Sequence, residues 1–190
     1  MYAEIVARIR QLLEKQTVVI VAISGHGGSG KTTLAAKLAE EFDVTNDQIV
    51  RIDALHAANY MQIKDIYQQH DWKTLVDLLT RARSDERLNY PTRDWKGNAG
   101  NVDVPRPRVV IVEGIRLIRP DLMPLFDVTV WIDCPAETAA ARAIERNREQ
   151  GDSDEEINLW YTKWVPEAKR YEADAQPHKI ADFAYRTYTD

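Results

Sequence analysis

The 190 residues are enough for one domain with a sizeable core and too few for two. Basic side chains number 25 against 30 acidic, a mildly acidic balance that argues against a nucleic-acid partner, since binding a phosphate backbone calls for a basic surface. A single cysteine, Cys134, excludes an internal disulfide framework and fits a reducing cytoplasm, and no apolar run approaches the ~20 residues that cross a bilayer.

From the N-terminus, Ile5, Val6, Ile9, Leu12 and Leu13 recur at helical spacing, so an amphipathic helix is expected over residues 2–15. Its interspersed charges read as a helix and not a secretion signal. Residues 17–24, Thr-Val-Val-Ile-Val-Ala-Ile-Ser, are a β-branched run of the kind buried on both faces of a parallel sheet. Directly after it, Gly25-His26-Gly27-Gly28-Ser29-Gly30-Lys31-Thr32 matches G-x-x-x-x-G-K-[ST] without a gap. Leu34, Ala35, Leu38, Ala39 and Phe42 then follow a helical period, so the motif has the strand, loop and helix it requires.

Each motif position has a physical reason. The glycines let successive N–H groups curl around a phosphate, and the helix beginning near Lys31 adds unpaired donors and a positive dipole end. Gly25, His26, Gly27, Gly28, Ser29, Gly30, Lys31, Thr32 and Thr33 are therefore the expected set around the phosphates of ATP. Lys31 is expected to bridge the β- and γ-phosphates and the Thr32 hydroxyl to bind Mg²⁺. His26 fills a variable position with no expected catalytic role.

Residues 48–53 predict a second short strand ending in a carboxylate, Asp53. The stretch 54–71 has helical pieces without a clear period, and 71–83 resumes a clear helix. Between Leu88 and Arg108 the density of Pro and Gly predicts a hairpin or excursion. Residues 108–114 form an apolar strand ending at Glu113-Gly114, resembling a Walker B strand, and 126–133 form another. Pro135 and Gly151 delimit a helix carrying Arg142, Arg146 and Arg148. A further helix over 154–171 and a last strand within 179–187 complete the chain. The five tryptophans are read as core or surface packing. Five strands separated by helices predict an α/β fold, a mainly parallel sheet with helices on both faces.

Phosphoryl transfer needs a metal, positive groups at the transferred phosphoryl, and a residue to handle the nucleophile's proton. Glu113 is a candidate to hold Mg²⁺ beside Thr32, with a solvated strand end as the competing reading. Asp53 stands at a strand's carboxyl end, where open α/β sheets bind ligands, as a candidate proton acceptor and metal partner; a helix-capping role competes. Arg142 and Arg146 share one helix face and compete with a reading as exposed ion pairs.

With these residues assembled, the chain resembles the uridine kinase family, within the wider group that includes phosphoribulokinase and bacterial pantothenate kinase. The matching segments are residues 23–32, Ile52-Asp53, the helix from Asp71-Trp72, Tyr90-Pro-Thr-Arg-Asp-Trp95, Val112-Glu-Gly-Ile115 and the end from Pro177 to Thr187. The resemblance, which runs over nearly the whole chain after Thr17, implies a three-layer P-loop NTPase fold similar to nucleoside monophosphate kinases with a lid-like helical region at about 136–158, and residues 1–190 are expected to form a single domain. It implies a cytoplasmic ATP-dependent kinase acting on an alcohol. It places the catalytic aspartate at Asp53, the Mg²⁺-associated glutamate at Glu113, a substrate-sugar aspartate at Asp65 and a lid arginine at Arg142.

The chain departs from that family where nucleosides are recognised. Ala54-Leu55-His56 stands where Ser-Phe-Tyr is usual, and Arg93 and Asn98 replace a base-contacting aromatic and a histidine. Arg93, with Asp94 beside it in the acceptor region, suggests an anionic non-nucleoside acceptor, since guanidinium pairs well with carboxylate or phosphate. The competing class is a nucleotide-binding regulatory ATPase or a degenerate kinase without transfer. Asp94-Trp-Lys-Gly97 fits the D-x-x-G of GTPases, but no N-K-x-D accompanies it. A homo-oligomer is compatible with the sequence.

Overall fold

The β-branched runs become strands and the periodic segments become the helices around them. The computed structural model describes residues 1–188, so Thr189 and Asp190 of the expected 1–190 domain lie outside the described residues. In chain order the elements are α1 (Tyr2–Leu13), β1 (Val19–Ser24), α2 (Lys31–Glu41), β2 (Val50–Arg51), α3 (Trp72–Arg81), β3 (Arg87–Arg93), β4 (Ala99–Pro105), β5 (Val109–Gly114), β6 (Val128–Asp133), α4 (Ala136–Glu149), α5 (Asp154–Leu159), α6 (Val165–Ala175), α7 (Pro177–Ile180) and β7 (Phe183–Arg186).

Five strands form one sheet in the order β2-β5-β1-β6-β7, every neighbouring pair parallel. Alternation along β1 splits the core. Val19, Val21 and Ile23 face one layer with Ile5 and Ile9 of α1 and Leu34 and Leu38 of α2. Ile20 and Ala22 face the other with Leu75, Leu78 and Leu79 of α3. Each such aliphatic side chain contributes about 1.5–3 kcal/mol by leaving water, so the central strands are fixed from both sides. Among the described residues no helix is long and apolar enough to cross a membrane.

The turn-rich excursion is an antiparallel hairpin of β3 and β4, pairing Arg87 with Pro105 through Arg93 with Ala99. Leu88 and Tyr90 enter the second core layer, where burial pushes the Tyr90 hydroxyl up to about 12. At its tip Asp94 accepts hydrogen bonds from the backbone N–H of Asn98 (2.9 Å) and its side-chain amide (2.7 Å), and Gly97 takes a φ of 90°. The D-x-x-G match is thus a turn.

Three elements differ from expectation. The second strand is only two residues long, and residues 52–54 form a 3₁₀ turn that carries Asp53. Residues 54–71 are stitched by isolated pairings, Leu55 to Arg93 and His56 to His70, in place of helical pieces; only 60–62 make a further 3₁₀ turn. The helix expected over 154–171 is interrupted by a π-turn at 160–164. Pro166 explains this: its ring has no N–H to give to the preceding turn and crowds the carbonyl four residues back, so the turn widens.

Candidate active site

Strand β1, buried at every position, delivers the chain to the phosphate loop at its carboxyl end. Gly30 adopts a φ of 102° and starts α2, and the Ser29 N–H donates to the His26 carbonyl (3.1 Å) to close the loop. Lys31 Nζ donates to the same carbonyl (2.9 Å). The His26 ring lies inside, with Nε2 3.1 Å from Glu172 Oε2 of α6 and an edge contact to Trp131. Burial pulls its imidazole below the ordinary value, with Glu172 opposing.

Two glycines here are required by packing as well as by phosphate. A Cβ on Gly27 would lie 2.7 Å from the Trp160 indole, and one on Gly28, whose φ is 82°, would lie 2.1 Å from the Ala139 carbonyl oxygen of α4. Gly28→Ala is expected to cost at least about 1–3 kcal/mol, the usual toll of overpacking, and to weaken MgATP binding. Thermal denaturation and nucleotide titration check this. An unchanged melting temperature and affinity would show that α4 does not rest on the loop.

Glu113, at the end of β5, is 6% exposed, which excludes the solvated-strand-end reading. The Thr32 hydroxyl donates to its Oε1 (3.3 Å), and Arg51 Nε stands 3.7 Å from the same oxygen. Burial raises the Glu113 carboxyl above its usual value while Lys31 pulls it down. Lys31 is in turn lowered by burial, with Glu113 and Asp53 opposing and Arg146 adding to the fall. Lys31, Asp53, Glu113 and Arg146 therefore share one electrostatic site. Thr32 and Glu113 offer adjacent oxygens of the kind Mg²⁺ takes, and a buried carboxylate with so few donors suits a cation, so the residues present fit that ion.

These side chains line one cavity of about 700 Å³, within the range of about 300–1,000 Å³ usual for small-molecule sites. Asp53 is exposed into it from its 3₁₀ turn. Arg142 and Arg146 reach it from α4. Arg142 donates to the Thr187 carbonyl (3.1 Å) and contacts Cys134 Sγ (3.7 Å), while Arg146 donates to Asn147 Oδ1 (3.0 Å). The Thr187 hydroxyl donates to the Ser29 carbonyl (2.8 Å), so the end of the last strand also abuts the loop.

Asp65, Arg93 and Asp94 do not line this cavity. Asp65 accepts from the Tyr67 N–H (3.0 Å), Arg93 donates to the Gly97 carbonyl (3.3 Å), and Asp94 is the turn residue described above. In their place stand residues without a motif. Trp131 is core and Trp160, with Trp164 against it, packs in a hydrophobic cluster as expected; Trp160, Trp164 and the exposed Trp95 also line the cavity. Arg116, 3% exposed and at a φ of 62°, also lines it; the guanidinium donates to Gln69 Oε1 (2.5 Å), the Ile66 carbonyl (2.8 Å) and Glu167 Oε2 (2.8 Å). The one hint in the sequence is its position just after Glu113-Gly114.

A parallel sheet that presents a Walker-type loop, a buried Glu113 beside Thr32 and arginines from a following helix defines a P-loop kinase. Comparison with known proteins bears on this. A family model described as an AAA domain (AAA_18) matches residues 21–160, and the chain belongs to that family. Among curated proteins it is similar to the uridine kinase of Oceanobacillus iheyensis, 27% identical over 152 residues that cover 73% of this chain and 72% of the relative. The uridine kinase of Latilactobacillus sakei is 25% identical, covering 80% and 78%. Among solved structures, a Silicibacter protein described as a candidate fructose transport system kinase superposes with a TM-score of 0.75 at 24% identity, over 95% of this chain and 98% of that one. D-glycerate 3-kinase of Cryptococcus neoformans gives 0.60 at 13% identity, over 87% and 85%. The structures share the fold, and the similarity to curated uridine kinases supports a P-loop kinase at the level of the family.

Proposed function

We propose that the protein transfers the γ-phosphoryl group of MgATP to a hydroxyl of a small metabolite, with Asp53 as the acceptor of the hydroxyl proton. The observation that supports this most is the opening of the Asp53 carboxylate into the cavity that also holds Lys31, Thr32 and Glu113. The loop N–H groups and Lys31 hold the phosphates, and Arg146, whose charge reaches Lys31, stabilises negative charge at the transferred group together with Arg142. Thr32 and Glu113 are the residues to hold Mg²⁺, which neutralises phosphate charge when bound. Helix α4, resting on Gly28, and Trp160 of the π-turn, resting on Gly27, act as the lid and exclude water from the reaction.

The acceptor is a hydroxylated metabolite that carries or lacks a nucleobase. Trp95, Trp160 and Trp164 offer aromatic walls, and Lys96 supplies the cationic group that Arg93 does not bring to the cavity. The relatives' names span uridine, fructose transport and D-glycerate. ADP release with MgATP, measured across uridine, cytidine, other nucleosides, pantothenate, simple sugars and glycerate, tests the reading. ADP formed only with one acceptor class is the expected result. Acceptor-independent hydrolysis, or ATP binding without turnover, would replace it with a regulatory ATPase.

A further inference from the structure

We infer that Asp53, His56 and His70 form a three-ligand site for a divalent transition metal of the zinc class. One ligand atom from each, a carboxylate oxygen and two ring nitrogens, lies within 4.8 Å of the others. At metal–ligand bond lengths near 2.0 Å the donors of a tetrahedral site stand about 3.3 Å apart, so small side-chain rotations close the set.

Two independent observations point to a ligand. His70 is 4% exposed and neither of its ring nitrogens has a hydrogen-bond partner, and Nδ1 of His56, 7% exposed, has none either. A buried polar atom without a partner is costly, and a metal ion would supply a partner to one nitrogen of each ring. The backbone also holds the pair in place. His56 and His70 face each other across an isolated antiparallel bridge, flanked by Ala57 N–H to the Gln69 carbonyl (3.0 Å) and Asp71 N–H to the Leu55 carbonyl (2.7 Å). Four backbone-anchored residues thus flank two imidazoles whose nitrogens named above have no hydrogen-bond partner among the described residues.

The donor set selects the class of ion. Two imidazoles with one carboxylate suit zinc, cobalt or ferrous iron, whereas Mg²⁺ takes oxygen ligands at near-octahedral geometry. The Tyr60 and Trp72 rings stand 4.3 Å from His56 and 5.2 Å from His70, centroid to centroid, and wall the site. Arg116 and Arg119, the nearby cations, are matched by Glu167 and Asp121. Asp53 and His56 both line the cavity, which gives an ion its entry and leaves a coordination position toward it. The site shares Asp53 with the proposed phosphoryl transfer, so an ion held there withdraws the proton acceptor and the two uses exclude each other.

Cobalt(II) titration of the chelator-stripped protein, without nucleotide, tests the site through the visible d–d absorption of nitrogen-coordinated cobalt. One equivalent per chain is expected, displaced by Zn²⁺, with affinity falling at least about 10-fold in His70→Gln and in His56→Gln, the scale on which even outer-shell changes act. Circular dichroism establishes that each variant is folded; should one not fold, the other decides. Absence of a cobalt band at one equivalent, or equal affinity in a folded variant, overturns the proposal. Because kinase activity is assayed separately with Mg²⁺ after chelation, failure of the metal site and failure of the kinase reading are distinct results.

Discussion

Asp53→Asn is expected to lower kcat by about 10²–10⁴, the usual contribution of a positioned general base, while MgATP still binds. The substitution keeps the side chain's size and its place in the 52–54 turn and removes its negative charge and with it the ability to take a proton. Asp53 makes no hydrogen bond among those of the described side chains that would restrain it, and it opens into the cavity, so its loss leaves the core intact. Single-turnover transfer and equilibrium nucleotide binding, measured on the same preparation, separate the two effects. Transfer at the wild-type rate would show that Asp53 is not the proton acceptor.

Lys31→Met is expected to lower transfer by at least about 10²–10³, the loss seen when one preorganised charge-stabilising donor is removed, and to weaken ATP binding as well. Two opposing influences define this lysine: burial lowers its ammonium below the ordinary value, and Glu113 and Asp53 hold the charge in place. Its removal leaves the buried Glu113 carboxylate with the Thr32 hydroxyl and the more distant Arg51. The variant therefore differs from Asp53→Asn in a second readout, a raised ATP KM. Unchanged ATP affinity would show that Lys31 does not reach the phosphates.

Much of the frame was legible because its signals are local. The β-branched runs at 17–24 and 108–114 are strands buried on both faces, as continuous apolar runs require. The glycine-lysine-threonine loop lies between strand and helix, and the Pro- and Gly-rich excursion is a hairpin. What the sequence hid depends on residues far apart in the chain. Gly27 and Gly28 were read as phosphate glycines, and only the fold brings Trp160 and α4 against them. His56 and His70 are fourteen positions apart in a stretch without a period, paired by a single bridge. Arg116 has no motif, and its role follows from Gln69 and Glu167, which long-range packing supplies. Arg93 and Asp94, which sequence neighbours associate with the acceptor region, hydrogen-bond within the hairpin turn. The shortened β2 and the π-turn before Pro166 show the same limit on a smaller scale.

The central claim is transfer to an acceptor hydroxyl, and phosphorus NMR of a reaction mixture containing MgATP and the acceptor that stimulates ADP release tests it most directly. A phosphomonoester signal growing in step with ADP, with little inorganic phosphate, is the predicted result. ADP matched by inorganic phosphate alone, with the acceptor unmodified, would contradict it.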